Sequence, residues 1–291
     1  MPRLPKINNR SRGFFTFAQN NSKTDYLRMA YLLALNIRAT QKSVPYLTVG
    51  VTPGMDVPSH YAKVFDNVIE IPWSDEAMYS DWKLQNEWKA IHMSPYDETI
   101  KLDCDMLFFK DIGLWWDMMS LEEFTICNRV VDYRGSTVTS DHYRKDFTAN
   151  KLPNVYSAIT HFKKTPGTFE FFMLARDLFQ QWTEVRIEML EYEHRPKLAS
   201  TDLIFALTLK LLDDAGRWYT ENTFPTFVHM KTYLQGWDDH GLDDNWCLNI
   251  PNFFRSDLGL KIGNHEQVYP LHYHIKGFAT ERIIDFYERC T

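Results

Sequence analysis

Strand and helix patterns alternate from residue 13 to residue 110, and this is the feature that most limits how the chain can fold. Gly13 to Ala18 (GFFTFA) reads as a buried strand. Asn20 to Thr24 (NNSKT) is a polar turn with a capping residue, and Asp25 to Thr40 carries apolar residues at helical spacing. Tyr46 to Val51 is a second strand, ended by the turn Thr52 to Gly54. Val68 to Ile71 is a short third strand, Trp82 to His92 a second helix, and Glu98 to Phe109 a fourth strand. This order predicts an α/β fold with a mostly parallel, Rossmann-like sheet flanked by helices. Such sheets bind ligands beyond the carboxyl ends of their strands. The turn carrying Asp103 and Asp105 sits at such an end.

The second half is more mixed. Asn154 to Phe162 reads as a strand. Thr168 to Trp182, a segment from Val185, and Ser200 to Leu212 read as helices. Thr226 to Met230 and Val268 to Ile275 are later strands, and Thr280 caps a final helix over Glu281 to Arg289. No linker stands out, so a single domain over 1–291 is expected.

Hydrophobic residues make up 44% of the 291, enough for a sizeable core. Aromatics reach 15%, which suits either a large aromatic core or a site for ringed ligands such as sugars and bases. The formal net charge of −6 excludes a global basic field, so any polyanion contact is local. Cys104, Cys127, Cys247 and Cys290 are widely spaced, with no CxxC pair. That argues against structural zinc and fits a reducing cytosol. The N-terminus lacks the apolar run of a signal peptide, and no stretch is apolar enough to span a membrane. A cytoplasmic protein is expected.

Chemistry concentrates in Lys101 to Phe109 (KLDCDMLFF). An Asp-x-Asp triplet alone is usually a solvated turn, but here apolar residues flank it on both sides. Residues i and i+2 of an ideal strand share a face. Two carboxylates there suit a hard cation such as Mg²⁺ or Mn²⁺, which takes oxygen ligands and keeps positions open for a diphosphate.

LDCDMLFF resembles the LDADMLV-type signature of GT-A fold glycosyltransferases, especially glycosyltransferase family 8. The resemblance covers about two thirds of the chain and is specific at Asp103–Asp105. It implies a GT-A-like fold, a UDP-sugar donor, Mn²⁺ or Mg²⁺, and retention of anomeric configuration. It also implies a nucleotide-sugar half over about 13–110, and an acceptor-side half with a metal-binding strand over about 111–291. The nucleotide pocket would draw on Thr16, Phe17, Ala18, Asn20 and Tyr26. The helix before the signature, with Lys83, Asn86 and Lys89, resembles the family's. The family's C-terminal metal-binding His and phosphate-binding Lys match Leu271 to Phe278 (LHYHIKGF), where His272 or His274 is the third ligand and Lys276 the cation. Asp202, in Ser200-Thr-Asp-Leu-Ile, matches an acidic position near the sugar, although Leu203 stands where the family has Gln. Its plain alternative is a carboxylate complementing a helix dipole. The family's Asn-Ser-Gly strand maps onto Tyr156-Ser157-Ala158, without the Gly.

The chain also looks like glycosyltransferases of large tailed phages, which implies a host cytoplasm and one attractive acceptor, a hydroxymethylated cytosine in DNA. The segment 129–151 interleaves Arg129, Arg134, Arg144, Lys145 and Lys151 with Tyr133, His142 and Tyr143, a pattern able to grip phosphates and stack a base. Its Asp132, Asp141 and Asp146 favour an ordinary solvated hairpin instead. Gly236 to Trp246 is an acidic loop that could meet sugar through Trp237. A glycan, lipid or protein acceptor remains open, as do a nucleotidyltransferase and a non-catalytic carbohydrate-binding protein. The absence of GxGxxG and GxxxxGK motifs counts against the nucleotidyltransferase.

Overall fold

The computed structural model describes residues 11–138, 144–214, 225–231 and 246–291. The first elements are β1 (Arg12–Ala18), α1 (Tyr26–Thr40), β2 (Leu47–Val51), α2 (Ser59–Ala62) and β3 (Asn67–Glu70). A 3₁₀ segment, Lys83–Lys89, leads through α3 (Ala90–Met93) to β4 (Glu98–Leu102) and β5 (Met106–Leu107). Next come α4 (Gly113–Met119), β6 (Phe124–Cys127), β7 (Arg129–Val131) and α5 (Lys145–Ala149). The chain continues through β8 (Tyr156–Lys163), α6 (Pro166–Gln180), α7 (Trp182–Met189), α8 (Thr201–Asp214) and β9 (Thr226–His229). It ends with α9 (Trp246–Asn249), β10 (Asn252–Phe254), β11 (Leu260–Ile262), β12 (His265–Glu266), β13 (Leu271–His272) and α10 (Glu281–Glu288).

The main sheet has the order β3-β2-β1-β4-β8-β6. Its first four strands run parallel, and β8 and β6 add antiparallel pairings. The sheet is therefore mostly parallel, as the alternation predicts. Side chains alternate across it. Phe14, Ile100 and Leu102 pack on one face in the core that includes α1, while Phe15 and Phe162 pack on the other with α6 and α8. Burying each such Phe contributes roughly 1.5–3 kcal/mol. Gly13 is required in β1, because a Cβ there would lie 2.3 Å from the Tyr96 ring. A second sheet, β5-β13-β9-β7, lies beyond the carboxyl end of β4, and β10-β11-β12 form a small third sheet.

Helix ends follow the sequence. The Asp25 side chain accepts from Arg28 N, and Asn20 Oδ1 accepts from Leu27 N at 2.9 Å, so both satisfy free amides at the start of α1. Thr165 and Thr168 form a capping box at α6, with Pro166 in its first turn.

Three sequence expectations change. The single strand Glu98 to Phe109 is two strands in different sheets, broken at Asp103–Asp105. The helix Trp82 to His92 is mainly 3₁₀, pinned by Lys83 Nζ on the Ala77 and Met78 carbonyls and Lys89 Nζ on the Ser74 carbonyl. The strand Val268 to Ile275 shrinks to Leu271–His272, because His274 takes a left-handed φ of 58° and turns the chain.

At the end of the main sheet away from Asp103, Glu98 ties β1, β4 and β8 together. Its carboxylate accepts from Arg12 Nε at 2.9 Å, from Ser120 Oγ, and from His161 Nε2 at 2.9 Å. Burial pushes the Glu98 carboxyl up, but the His161, Ser120 and Arg12 hydrogen bonds outweigh it and hold it at about 2. Burial pushes His161 down, so a neutral ring donates the Nε2 hydrogen. A carboxyl held below its ordinary value stabilises the fold fully above that value and loses the contribution as pH falls toward about 2. Glu98→Gln should therefore cost about 1.5–3 kcal/mol at neutral pH. The gap between wild type and variant in urea unfolding should narrow at pH 3. A gap that stays constant from pH 7 to pH 3 would show that the Glu98 anion is not selectively held.

Candidate active site

Local folding brings the acidic turn to a point between two sheets. β4 delivers Leu102 in the main sheet, and Asp103 N still donates to Ala158 O at 3.1 Å. The chain then leaves that sheet, because Met106 and Leu107 are fully buried in the second one and pair antiparallel with β13. In that ladder His272 lies opposite Met106, and Tyr273 N donates to Asp105 O at 3.1 Å. A histidine 167 residues downstream of Asp105 in sequence thus arrives beside it (272 − 105).

Asp103, Asp105 and His272 offer three ligand atoms within 4.8 Å of one another. His272 Nε2 lies 3.1 Å from Asp105 Oδ1 and 3.9 Å from Asp103 Oδ2. The ring's other nitrogen, Nδ1, is buried with no hydrogen-bond partner among the described residues, so Nε2 is the working atom. Two carboxylates and an imidazole suit a divalent cation such as Mn²⁺ or Mg²⁺. His274 lies outside this cluster, its ring centroid 6.0 Å from that of His272.

Charge around the cluster is balanced by the chain itself. Lys276 Nζ donates to Asp105 Oδ2 at 2.5 Å and lies over the Tyr26 ring at 5.4 Å. Burial pushes the Asp105 carboxyl up, but His272 and Lys276 outweigh it and hold it well below the usual carboxylate range. Lys101, invisible as a functional residue in the sequence, donates to Asp103 Oδ1 at 3.0 Å.

The cluster forms part of the wall of a cavity of about 230 Å³. Phe17, Tyr26, Lys83, His274 and Lys276 line it, together with Gln19, Asp81, Trp82 and Glu87, which the sequence did not single out. The remaining expected pocket residues lie elsewhere. Thr16 is buried and donates to Leu102 O at 2.9 Å, and Ala18 is a core residue. Asn20 caps α1. Asn86 is buried, donating to Gln19 Oε1 at 3.1 Å and to Asp75 Oδ1 at 2.7 Å.

A second cavity of about 170 Å³ adjoins the first, and Trp82, Leu84, Asp103 and His272 border both. Asp202 lies in the second. Its Oδ1 accepts from Ser157 N at 2.8 Å and Ser157 Oγ at 2.7 Å, and its Oδ2 from Arg144 Nη2 at 3.1 Å. Burial pushes the Asp202 carboxyl up, but Arg144 and Ser157 outweigh it and keep it an anion. Arg144 is itself buried, lies 3.8 Å from the Tyr156 ring centroid, and donates to Val155 O at 2.7 Å. It is therefore an interior clamp rather than a basic surface contact. Within 129–151, Arg134 pairs with Asp132 at 3.2 Å and β7 pairs with β9. His142 and Tyr143 fall outside the described residues, as does Trp237. His229, another residue the sequence left unmarked, stacks on His272 with centroids 4.6 Å apart and planes 9° from parallel.

Among the described residues no helix is long and apolar enough to cross a membrane. No protein-family model matches the chain, and no curated protein is similar to it in sequence. Solved structures are similar to it in shape. The glycosyltransferase GlyE of Streptococcus pneumoniae TIGR4 is 10% identical over 96% of this chain, with a TM-score of 0.45, and this chain spans 60% of its length. Mouse xyloside xylosyltransferase 1 is 11% identical over 79% of this chain and 90% of its own, with a TM-score of 0.46. The galactosyltransferase LgtC, solved with donor and acceptor sugar analogs, is 14% identical over 95% of both chains, with a TM-score of 0.51. That last likeness, over 95% of each chain, establishes the fold: this chain is a single-domain α/β protein with the GT-A architecture of LgtC.

Proposed function

We propose that this protein is a glycosyltransferase that moves a sugar from a nucleotide-sugar, with UDP-sugars first in line, to a hydroxyl acceptor. The observation that carries this reading is the Asp103, Asp105 and His272 cluster at the carboxyl end of β4, which lines the first cavity and through Asp103 and His272 borders the second. The LgtC-like fold supports it. Asp103, Asp105 and His272 would hold Mn²⁺ or Mg²⁺, which when bound neutralises charge on a departing diphosphate.

The chain's own residues divide the remaining work. Tyr26 and Phe17 offer apolar ring surface for the nucleoside in the first cavity. Lys276, already beside Asp105, presents a cation to the diphosphate. Asp202 sits in the second cavity as a fixed anion, because three hydrogen bonds hold both of its oxygens. An anion held there favours the positive charge that develops on the sugar ring as the glycosidic bond breaks. The acceptor hydroxyl enters through the same cavity. Burial of Arg144 removes one of the cations that a DNA acceptor gripped by 129–151 would need, so an acceptor that reaches into the second cavity is better supported.

Two outcomes test this. UDP with Mn²⁺ should raise the melting temperature of the wild type by mass action, and Asp105→Asn should lose the Mn²⁺-dependent part of that shift. No shift with any nucleotide, with or without Mn²⁺, sinks the donor-site reading. Asp202→Asn should reduce sugar transfer on the order of 100-fold. Its UDP and Mn²⁺ shift, measured against its own unliganded baseline, should match the wild type. Transfer at the wild-type rate would remove Asp202 from the mechanism.

A further inference from the structure

Lys101 is an unusual residue for its position. β4 lies between β1 and β8, with Lys101 paired to Phe15 on one side and Thr160 on the other, and only 2% of the lysine is exposed. Its neighbours Ile100 and Leu102 are core residues on the opposite face. An apolar residue would satisfy this slot, and a buried ammonium costs heavily unless it is paired. Lys101 has two partners. Its Nζ lies 2.5 Å from Glu87 Oε2 and 3.0 Å from Asp103 Oδ1. Glu87 is likewise buried, at 6% exposure, and comes from the 3₁₀ segment packed over this face of the sheet. The chain Glu87–Lys101–Asp103 therefore runs from a buried anion, through a buried cation, to the first carboxylate of the acidic turn.

The two oxygens of Asp103 are divided by this arrangement. Oδ1 is held by Lys101, and Oδ2 is the one turned toward His272 Nε2 at 3.9 Å. Asp103 is half-exposed and follows the last residue of β4, so without a partner its side chain would be free to rotate. We infer that Lys101, anchored by Glu87, is a positioning residue that pins Asp103 so that a single oxygen, Oδ2, faces the cation site with Asp105 and His272. This rests on the metal site of the proposed glycosyltransferase.

The test removes the pin without changing local charge. Glu87→Gln combined with Lys101→Met deletes one negative and one positive charge, so the net charge near the cluster is the same as in the wild type. Both changes nearly conserve side-chain volume, which a packed interior tolerates best. Mn²⁺ binding to the full chain is read from the free-ion signal in electron paramagnetic resonance, without substrate. The double variant should bind Mn²⁺ about tenfold more weakly or worse, as loss of an outer partner of a metal ligand does. In an Asp103→Asn background the same pair of changes should have little further effect, because the residue that Lys101 acts through is already disabled. If the double variant does not fold, Glu87→Gln with Lys101→Gln replaces it, with the same expectation, since the shorter amide stops short of Asp103. A double variant that binds Mn²⁺ as tightly as the wild type overturns the inference, as do losses that simply add in the Asp103→Asn background. Wild-type protein that takes up no Mn²⁺ overturns the metal reading itself, and the inference falls with it.

Discussion

The two-residue ladder between β5 and β13 is the contact on which the rest of the site depends. Leu271 pairs with Leu107, and His272 with Met106. The chain leaves the main sheet at Asp103 because Met106, Leu107 and Phe108 are fully apolar and find a second buried sheet beyond its edge. The turn between the two sheets has polar side chains and nowhere apolar to put them. Asp103 and Asp105 therefore become walls of a cavity, and the opposing strand supplies His272 at the same level. The strands on both sides of this turn, β4 in the main sheet and β5 in the second, are buried, as is β13, so the three ligand atoms are set by core packing.

Two carboxylates this close repel each other, and the chain answers with cations at fixed points. Lys276 meets Asp105, Lys101 meets Asp103, and Arg144 meets Asp202. Each pairing is charge-assisted and commits one carboxylate oxygen. The result is a set of carboxylates whose orientation is fixed before any ligand arrives. At the other end of the sheet Arg12 meets Glu98 in the same way.

Much of this was legible in the sequence, and the boundary of legibility is physical. Apolar period and turn residues located β1, α1, β2, β8, α6, α8 and α10 within a few residues, because those signals are local. The apolar flanks of Asp103 and Asp105 distinguished them from a solvated turn. The break within Glu98 to Phe109 was not legible, since a run that is apolar on both sides of a polar pair reads the same whether it stays in one sheet or crosses to another. Lys101 was read as a strand residue because a strand pattern does not reveal that its buried partner, Glu87, lies on a preceding segment. Arg144 was read as a surface cation for a related reason. Its partner Asp202 lies 58 residues on (202 − 144), and only the fold brings Tyr156 and Phe147 around its guanidinium.

The burial of Arg144 bears on how Asp202 is held. A guanidinium held between two aromatic rings, with one bond to a backbone carbonyl and one to a carboxylate, fixes the direction in which that carboxylate points. Ser157 fixes it from the other side, through both its amide and its hydroxyl. An Asp202 free to rotate could serve as a hydrogen-bonding partner for many sugar hydroxyls. One held from two sides by three hydrogen bonds can favour only a charge that appears in a particular place. Leu203, the next residue, turns into the core at 2% exposure, so Ser200, Thr201 and the clamped Asp202 are what this end of α8 presents to the second cavity.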